Sequence, residues 1–449
     1  MAIELSEKYD LRVPRYTSYP TAPHFGDDVG EADYRAWLAE IEPGTPLSLY
    51  VHIPFCDEMC WFCGCYTKIV ARYEPIAAYL LSLHQEIALV ADALPDRLPI
   101  RHLHWGGGSP SMLAPADWLT SIGILRRHFD FAADAEIAVE LDPRDAREDY
   151  IAALAQAGVN RVSIGVQDFD SAVQQAINRF QPFDVVERVI GWLRRHGITA
   201  INLDLMYGLP RQTQDKVAAM VDLAVTLAPA RIALFGYAHV PWMRSHQKLI
   251  DETELPGAVA RFTQFATASH RLIEHGYRPI GLDHFARDGD GLALALDAGR
   301  LHRNFQGYTS DDAPLLLGLG ASAIGTLQGG YVQNAVPLAD YRRAIAAGRL
   351  PTARGRALTA DDRLRRDVIE QLMCALVVDL DSVCAAHGQP ATTFAAERQA
   401  LARMAEDGLV RLDGARVCIT EEGRPFVRVV ASAFDAYLNA GAGRHSRAV

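Results

Sequence analysis

Six runs of apolar and β-branched residues alternate with helix-like stretches through the first half of the chain, and this alternation restricts the possible folds more than any other feature. The helix-like stretches, such as Tyr73 to Leu94 and Asp184 to Arg195, repeat apolar residues at intervals of three and four. Repeated strand and helix pairs predict a parallel sheet with helical crossovers. The predicted strands are Leu47 to Ile53, Ile100 to Trp105, Ala135 to Leu141, Arg161 to Val166, Ala200 to Met206 and Arg231 to Tyr237.

An unusual motif follows each predicted strand. The carboxyl ends of parallel strands gather on one face of an α/β barrel, and active sites lie on that face. We therefore expect all of these motifs to line one pocket. They are His52-Ile-Pro-Phe-Cys56, Gly106-Gly-Gly-Ser-Pro110, Glu140-Leu-Asp-Pro143, Gly165-Val-Gln167, Asp204-Leu-Met-Tyr-Gly-Leu-Pro210 and Tyr237-Ala-His-Val-Pro241.

The chain has 449 residues, which is too long for one ordinary domain. Beyond an Arg-rich helical stretch, Leu409 to Ile419 has the pattern of two strands around an Asp-Gly turn. We predict an α/β fold, a partial (β/α)6 barrel with a C-terminal, mainly helical, winged-helix-like domain. The predicted parts are an N-terminal arm (1–45), the barrel and its extension (46–355) and the C-terminal domain (356–449). The Gly-rich stretch from Leu315 to Gly330 has no firm assignment.

Charge and cysteine distribution restrict the location and the partners. A formal net charge of −11 opposes binding to nucleic acid or to an anionic membrane. The sequence shows no signal-peptide pattern and no membrane-length apolar run, so we expect a cytoplasmic protein. Four of the seven cysteines lie between positions 56 and 65. In a reducing cytosol such a group favours metal binding over disulfides.

Cys56, Cys60 and Cys63 are spaced C-x3-C-x2-C on one predicted loop. Three thiolates can each ligate one iron of a 4Fe-4S cubane and leave the fourth iron without a protein ligand. The amine and carboxylate of S-adenosylmethionine can chelate that iron, which places the sulfonium where a reduced cluster can cleave it. Structural zinc on four thiolates is the alternative, but zinc sites usually pair two C-x2-C knuckles across a longer loop.

Other polar and glycine residues at strand ends are candidates for cofactor contacts. Gly106 to Gly108 can bring the backbone close to the methionine end of the cofactor, although a plain turn explains them equally well. Glu140, Gln167 and Asp204 end apolar strands, where burial without partners is costly. Ribose hydroxyls or a substrate amine would satisfy them, and so would a hydrogen-bond network at the barrel rim.

Three further patterns are weaker. Gly318-Leu-Gly-Ala-Ser-Ala323 fits a dinucleotide fingerprint, but it follows the strand and helix pairs instead of opening a βαβ unit. His102 and His104 share one face of a strand, and we interpret them as packing residues. The remaining cysteines are interpreted as small buried apolar residues; they are Cys374, Cys384 and Cys418.

The motifs together resemble the oxygen-independent coproporphyrinogen III oxidases of the radical S-adenosylmethionine superfamily. The resemblance implies a radical-SAM barrel, a 4Fe-4S cluster, two S-adenosylmethionine molecules and the conversion of two propionates of coproporphyrinogen III to vinyl groups, giving protoporphyrinogen IX for heme synthesis. An electron donor such as flavodoxin or ferredoxin and a monomeric state are also expected. The segments that carry the resemblance are Tyr50 to Cys65, Gly106 to Pro110, Tyr207 to Pro210, Pro14 to Pro20, Asp283 to Arg287, His302 to Tyr308 and Arg447.

The resemblance also implies roles for single residues, of which Cys65 is a catalytic candidate that should not ligate the cluster. The cluster-bound S-adenosylmethionine would contact Tyr50, Gly107, Glu140 and Ile324. The second would contact Phe62, Gly108, Ser109, Gln167, Arg179, Asp204 and Ala238. Ser109 replaces the usual Thr and keeps the hydroxyl, whereas Phe180 replaces an acidic residue beside Arg179. Arginines are expected to hold the substrate carboxylates, and the candidates are Arg15, Arg303 and Arg447.

Two rival functions have sequence arguments. The related heme-chaperone homologues share the three-cysteine motif, but they usually have Phe at the position of Cys65 and lack the Pro14 to Pro20 element. An iron-sulfur regulator is the other, with Arg411 and Arg416 on a DNA-binding hairpin. The acidic chain argues against that regulator.

Overall fold

A computed structural model describes residues 2–438, in which strands and helices alternate before a mainly helical C-terminal segment. The strands are β1 (Leu47–Ile53), β2 (Phe55–Cys56), β3 (Lys68–Ile69), β4 (Pro99–Gly107), β5 (Asp130–Leu141), β6 (Arg161–Gln167), β7 (Ala200–Tyr207), β8 (Arg231–Gly236), β9 (Arg278–Ile280), β10 (His284–Ala286), β11 (His302–Asn304), β12 (Gly307–Thr309), β13 (Leu315–Leu319), β14 (Ile324–Thr326), β15 (Gly330–Asn334), β16 (Thr352–Ala357), β17 (Val377–Asp379), β18 (Val410–Asp413) and β19 (Arg416–Ile419). The α-helices are α1 (Ala2–Lys8), α2 (Glu31–Ala39), α3 (Glu74–Asp92), α4 (Pro115–His128), α5 (Glu148–Gln156), α6 (Ser171–Ala176), α7 (Phe183–Arg195), α8 (Gln214–Thr226), α9 (Ala258–Glu274), α10 (Gly291–Asp297), α11 (Leu338–Ala346), α12 (Ala360–Ala375), α13 (Leu380–Ala386), α14 (Ala395–Glu406) and α15 (Val427–Ser432).

Twelve strands form one sheet, in the order β16-β15-β14-β13-β1-β4-β5-β6-β7-β8-β10-β9. Its centre consists of β1 and β4 to β8, which are the six predicted strands and pair in parallel. The predicted α/β fold class is confirmed. β1 has the predicted bounds, whereas β5 begins at Asp130 instead of Ala135, because Asp130 and Phe131 already pair with β4.

The Gly-rich stretch that the sequence left unassigned extends this sheet. β13 lies parallel to β1 on its outer side, and β14 to β16 continue the sheet in antiparallel fashion. The segment from Gly318 to Ala323 therefore leads from one strand into another, without the helix that a dinucleotide fingerprint requires. A Cβ at Gly318 would lie 2.5 Å from the carbonyl oxygen of Ile324, so glycine permits this close approach.

Helix α7 illustrates how the helices cover the sheet. Its buried residues, Val186, Val189, Ile190 and Leu193, recur at intervals of three and four and form one apolar face. That face joins the buried strand residues in the largest hydrophobic core of the described chain. Among residues 2–438, no helix has the length and apolar content needed to cross a membrane.

The C-terminal segment forms a second core with its own small sheet. Its strands are ordered β17-β19-β18, and β18 and β19 form the hairpin predicted around Gly414. The Thr359 hydroxyl caps α12 by accepting a hydrogen bond from the backbone N–H of Asp362 at 3.1 Å. β17 escaped sequence prediction, because three residues are too few to show an alternating pattern.

The N-terminal arm is fastened to the C-terminal segment. Arg428 Nε donates to the carbonyl oxygen of Pro14 at 2.9 Å, and the same guanidinium donates to the carbonyl oxygen of Val13. The Tyr16 hydroxyl donates to Asp435 at 3.0 Å. Contacts between residues more than 400 positions apart thus fix the arm against the C-terminal segment.

Candidate active site

The loop after β1 carries the cysteine motif. Cys60 is buried, Cys56 and Cys63 are half-buried, and Cys65 is exposed. Burial raises the pKa of the Cys56 thiol, and the neighbouring Cys63 and Cys60 thiols raise it further. Three predicted cluster thiols therefore lie near one another at the carboxyl end of the sheet.

The donor chemistry of the three thiols suits a 4Fe-4S cluster. In a cubane each thiolate binds a different iron, whereas structural zinc needs four ligands around one point. The donor set of Cys56, Cys60 and Cys63 is the one that a cubane with an open iron requires.

Two arginines and one aspartate surround Cys60. Its sulfur accepts hydrogen bonds from Arg144 Nη2 and Arg179 Nη1, each at 3.3 Å. Both guanidiniums also donate to Asp142 Oδ2 at 2.8 Å. Burial would raise the pKa of Asp142, but the positive charges of Arg179 and Arg144 lower it to about 2. Burial raises the pKa of the Cys60 thiol, and the positive charges of Arg179 and Arg144 offset part of that rise.

These contacts also identify the acidic partner of Arg179. Phe180 is 64% exposed and contributes no carboxylate, so Asp142 is the acid that pairs with Arg179. Asp142, directly after β5, belongs to the predicted Glu140 to Pro143 motif, whereas Arg144 was not singled out from the sequence. The spacing of Arg144 from the cysteines is too long for any local motif to reveal its role.

The Gly106 to Ser109 turn supports the cysteine loop. The backbone N–H groups of Gly108 and Ser109 donate to the carbonyl oxygens of Ile53 and Phe55, at 2.8 and 2.7 Å. A Cβ at Gly107 would lie 2.3 Å from the His52 ring, and one at Gly108 would lie 2.5 Å from the Phe55 carbonyl oxygen. The glycines are thus required by packing against the protein's own loop, which the sequence interpretation did not include.

We expect Gly107→Ala to destabilise the protein and to lower its iron content. Gly107 has φ 108°, a conformation that alanine rarely adopts, and the added methyl group would collide with His52. Strain and overpacking together should cost about 2 to 5 kcal/mol. Thermal unfolding and iron analysis measure both effects. Gly123→Ala is the matched control, because nothing lies within 4 Å of the added Cβ. Equal melting temperatures for the two variants would contradict the packing role.

Glu140 lies at the centre of the group predicted for the cluster-bound S-adenosylmethionine. It accepts hydrogen bonds from His104 Nε2 at 3.0 Å and from the backbone N–H of Gly107 at 3.2 Å. Burial would raise the pKa of Glu140, but the bond from His104 and the other donors lower it. Tyr50 stacks on His104 with ring centroids 6.0 Å apart. The structure therefore brings Tyr50, Gly107 and Glu140 together, with His104 as an additional member.

Ile324, the fourth residue predicted for this contact, lies on β14, which is separated from β1 by β13. Tyr50 of β1 pairs with Gly318 of β13, and the backbone of Gly318 packs against Ile324. The interpretation of His104 as a packing residue was wrong, since its imidazole faces a cavity and bonds to Glu140. A histidine three residues before the carboxyl end of β4 was the signal for this role.

A cavity of about 300 Å³ opens beside these residues. Its lining includes Cys65, His104, Glu140 and Asp204. Asp204 accepts hydrogen bonds from Ser163 and Asn202, at 3.0 and 2.7 Å. Burial and the nearby charge of Glu140 raise the pKa of Asp204 to about 6. Several polar groups thus converge on one cavity, as binding sites generally require.

The residues predicted for a second S-adenosylmethionine are more dispersed. Gln167 lies beside Arg179 above Gly165, where an added Cβ would approach both side chains within 3.2 Å. The Ser109 hydroxyl bonds to Ser111 at 2.7 Å. Among the described residues that line the 300 Å³ cavity, Asp204 is the one member of this group.

Gln247 joins two further members of that group, Phe62 and Ala238. Its amide donates to their carbonyl oxygens at 2.9 and 3.2 Å. The cysteine loop is therefore tied to the segment after β8. Gln247 follows that segment without a recognisable motif, so sequence reasoning missed it.

Of the arginines predicted to hold carboxylates, Arg15 and Arg303 line one small cavity. Arg447 lies outside the described residues. Arg411 and Arg416 are exposed on the C-terminal hairpin.

Comparisons with known proteins cover nearly the whole chain. Residues 50–224 match the Radical SAM superfamily, and residues 358–426 match the HemN C-terminal domain. The oxygen-independent coproporphyrinogen III oxidase of Bradyrhizobium diazoefficiens is 48% identical over 100% of both chains. That of Paracoccus denitrificans is 44% identical over 98% of this chain and 97% of its own. The solved structure of the Escherichia coli coproporphyrinogen III oxidase HemN, described as a radical SAM enzyme, gives a TM-score of 0.90 at 40% identity and covers 94% of this chain and 98% of that one.

Proposed function

The chain belongs to the oxygen-independent coproporphyrinogen III oxidases of the radical SAM superfamily, and from this membership we propose its reaction. The enzyme decarboxylates two propionates of coproporphyrinogen III oxidatively to vinyl groups and so produces protoporphyrinogen IX for heme synthesis. The observation that carries the proposal is the three-cysteine loop beside a polar cavity, in a chain that matches such oxidases from end to end.

The family uses a 4Fe-4S cluster and S-adenosylmethionine. When bound, this pair supplies a 5′-deoxyadenosyl radical that takes hydrogen from the β-carbon of a propionate, after which carbon dioxide leaves and an acceptor takes the remaining electron. Cys56, Cys60 and Cys63 would hold the irons. Arg144 and Arg179 would offset the negative charge of the thiolates, because both donate to the Cys60 sulfur.

Glu140 and Asp204 provide two different carboxyl groups to the cavity. The pKa of Glu140 is lowered, so it remains an anion that can accept hydrogen bonds from an amine or a ribose. The pKa of Asp204 is raised to about 6, so it takes up a proton more readily. In this proposal Glu140 orients the cluster-bound S-adenosylmethionine and Asp204 faces the second molecule.

A second S-adenosylmethionine is supported by one unsatisfied group. The Gln167 side-chain oxygen is buried and has no hydrogen-bond partner among the described residues. Gln167 has φ 69°, a strained conformation that aims its side chain towards Arg179. A ligand hydroxyl or amine would satisfy that oxygen.

The remaining partners follow from charge and chemistry. Reduced flavodoxin or ferredoxin would supply the electron, and the enzyme would act as a monomer in the cytoplasm. The net charge of −11 and the free thiols of the cysteine loop support this location and argue against nucleic acid and membrane partners.

Anaerobic incubation with coproporphyrinogen III, a reductant and S-adenosylmethionine tests the function. We expect protoporphyrinogen IX, carbon dioxide and 5′-deoxyadenosine, and no product when either the reductant or S-adenosylmethionine is omitted. Substrate deuterated at the propionate β-carbons should transfer deuterium to 5′-deoxyadenosine. Cleavage of S-adenosylmethionine without deuterium transfer, or heme binding without turnover, would contradict the proposal and favour the heme-chaperone alternative.

A further inference from the structure

A small, positively charged cavity lies beyond the 300 Å³ cavity, and none of the cofactor residues explains it. Its volume is about 40 Å³, close to that of one water molecule or one carboxylate group, which each fill roughly 30 Å³. Its charged lining residues are Arg15, Arg261, Arg303, Arg428 and Asp283. Among the described lining residues, one carboxylate therefore faces four guanidiniums.

The excess of positive charge shifts the pKa values of residues that line the small cavity. Burial would raise the pKa of Asp283, but Arg303 first and then His284 and Arg15 hold it well below its usual range. Burial, together with the charges of Arg15 and Arg303, lowers the pKa of Arg428 to about 9. A second anion in the cavity would relieve repulsion among the arginines.

Arg303 is the strongest indication of a ligand. Its side chain is 3% exposed, yet its Nη1 makes no hydrogen bond within the described residues. The nearest carboxylate oxygen, Asp283 Oδ1, lies 3.5 Å away, and the guanidinium packs on the Tyr308 ring at 4.4 Å. A buried guanidinium donor without an acceptor is costly, so this position favours an incoming anion.

Arg15 approaches the same cavity from the arm. Its Nη2 donates to the carbonyl oxygen of Gly236 at 3.0 Å, and its own carbonyl oxygen accepts from Arg303 Nε at 3.4 Å. Fastening the arm is the simpler explanation of these contacts. A carbonyl oxygen does not neutralise a guanidinium, however, and a lysine or a neutral side chain could fasten the arm as well.

The small cavity adjoins the 300 Å³ cavity. Phe235 lines both, and His284, which lines the larger cavity, donates through Nδ1 to Asp283 at 2.8 Å. Gly208 and Gly236, at the ends of two central strands, leave room for Arg261, which would lie 2.1 Å from a Cβ at position 208. A substrate in the 300 Å³ cavity would therefore lie next to the small cavity, which we call the cationic recess.

We propose that Arg15 and Arg303 form a binding site for one propionate carboxylate of coproporphyrinogen III that is not the reacting one. The inference rests on the proposed function, since it takes the substrate from there. Guanidinium forks match a carboxylate through two parallel hydrogen bonds, and the volume of the recess admits one carboxylate and excludes the macrocycle. Anchoring a remote carboxylate would hold the reacting propionate in the larger cavity.

The test is anaerobic titration of the cluster-loaded enzyme with coproporphyrin III, the stable oxidised tetracarboxylate, followed by fluorescence. Arg15→Gln and Arg303→Lys should each weaken binding by about 10- to 100-fold, as expected for the loss of a charge-assisted bidentate pair. Both variants should keep their iron. The tetramethyl ester of coproporphyrin III, which carries no carboxylate, should lose much less affinity than the tetracarboxylate. Arg349→Gln is the matched control, because that side chain is 62% exposed and ion-paired at a distance with Glu31.

The outcomes separate this inference from the proposed function. Affinity for coproporphyrin III within twofold of wild type in Arg15→Gln would overturn the carboxylate site, even when Arg303→Lys fails to fold. Equal losses for coproporphyrin III and its tetramethyl ester would overturn it as well. Wild-type enzyme that binds coproporphyrin III in this way but forms no protoporphyrinogen would refute the proposed function and leave the site standing.

Discussion

Cys60→Ser is expected to lose most of its iron and sulfide, its broad brown absorbance and all measurable formation of protoporphyrinogen. A hydroxyl is a poor iron ligand compared with a thiolate. Cys60 is also the most enclosed of the three thiols, and its sulfur accepts hydrogen bonds from Arg144 and Arg179. Iron and sulfide analysis of the anaerobically reconstituted protein measures the effect.

Cys418→Ser is the control for that experiment. Cys418 is half-buried in β19 of the C-terminal segment and lies in no group with the cysteine loop. The control should bind iron as wild type does. Near-stoichiometric iron and sulfide in Cys60→Ser would refute the assignment of Cys60 as a ligand.

Cys65→Ser should keep the cluster and bind S-adenosylmethionine, yet form little product. A cubane that is served by three thiolates and one S-adenosylmethionine has no vacancy for a fourth thiol. The exposed side chain of Cys65 lines the 300 Å³ cavity together with Glu140 and Asp204. At that position a thiol can position a ligand or move a hydrogen or an electron. Turnover should fall by about 100-fold or more, as is typical for loss of a group that transfers a proton.

Iron content and turnover, measured on one preparation of Cys65→Ser, distinguish three roles. Loss of iron comparable to that of Cys60→Ser would make Cys65 a ligand. Wild-type turnover would reduce it to a packing residue. The backbone N–H of Cys65 lies 3.4 Å from the Cys63 sulfur and is unaffected by the substitution, so loop geometry alone should not change the iron content.

The sequence predicted the centre of the fold well, because local patterns encode it. β1 and the five parallel strands that follow are short apolar runs, and the C-x3-C-x2-C spacing lies on one loop. The edges of the sheet were harder, since β13 to β16 contain glycines and short strands whose pairing depends on distant partners. Strands could therefore be predicted from the sequence where their residues are buried on both faces of the sheet.

Site residues were likewise predictable where a local motif marks them and were missed where their role depends on distant parts of the chain. Glu140 and Asp204 lie in predicted strand-end motifs, so their position was inferable, whereas Arg144 and Gln247 act through contacts with segments far along the chain. The arginine recess shows this most clearly. Arg15 and Arg303 belong to segments 288 positions apart, and only the folded chain brings them together.

The hydrogen bonds from Arg428 to the N-terminal arm also restrict when the arm can take its final place during synthesis. Pro14 leaves the ribosome early, but the guanidinium that holds its carbonyl oxygen is made 414 residues later. Local strand and helix pairs can fold during that interval, whereas this contact has to wait. The wall that Arg15 and Arg428 give to the cationic recess is thus completed only after Arg428 has been synthesised.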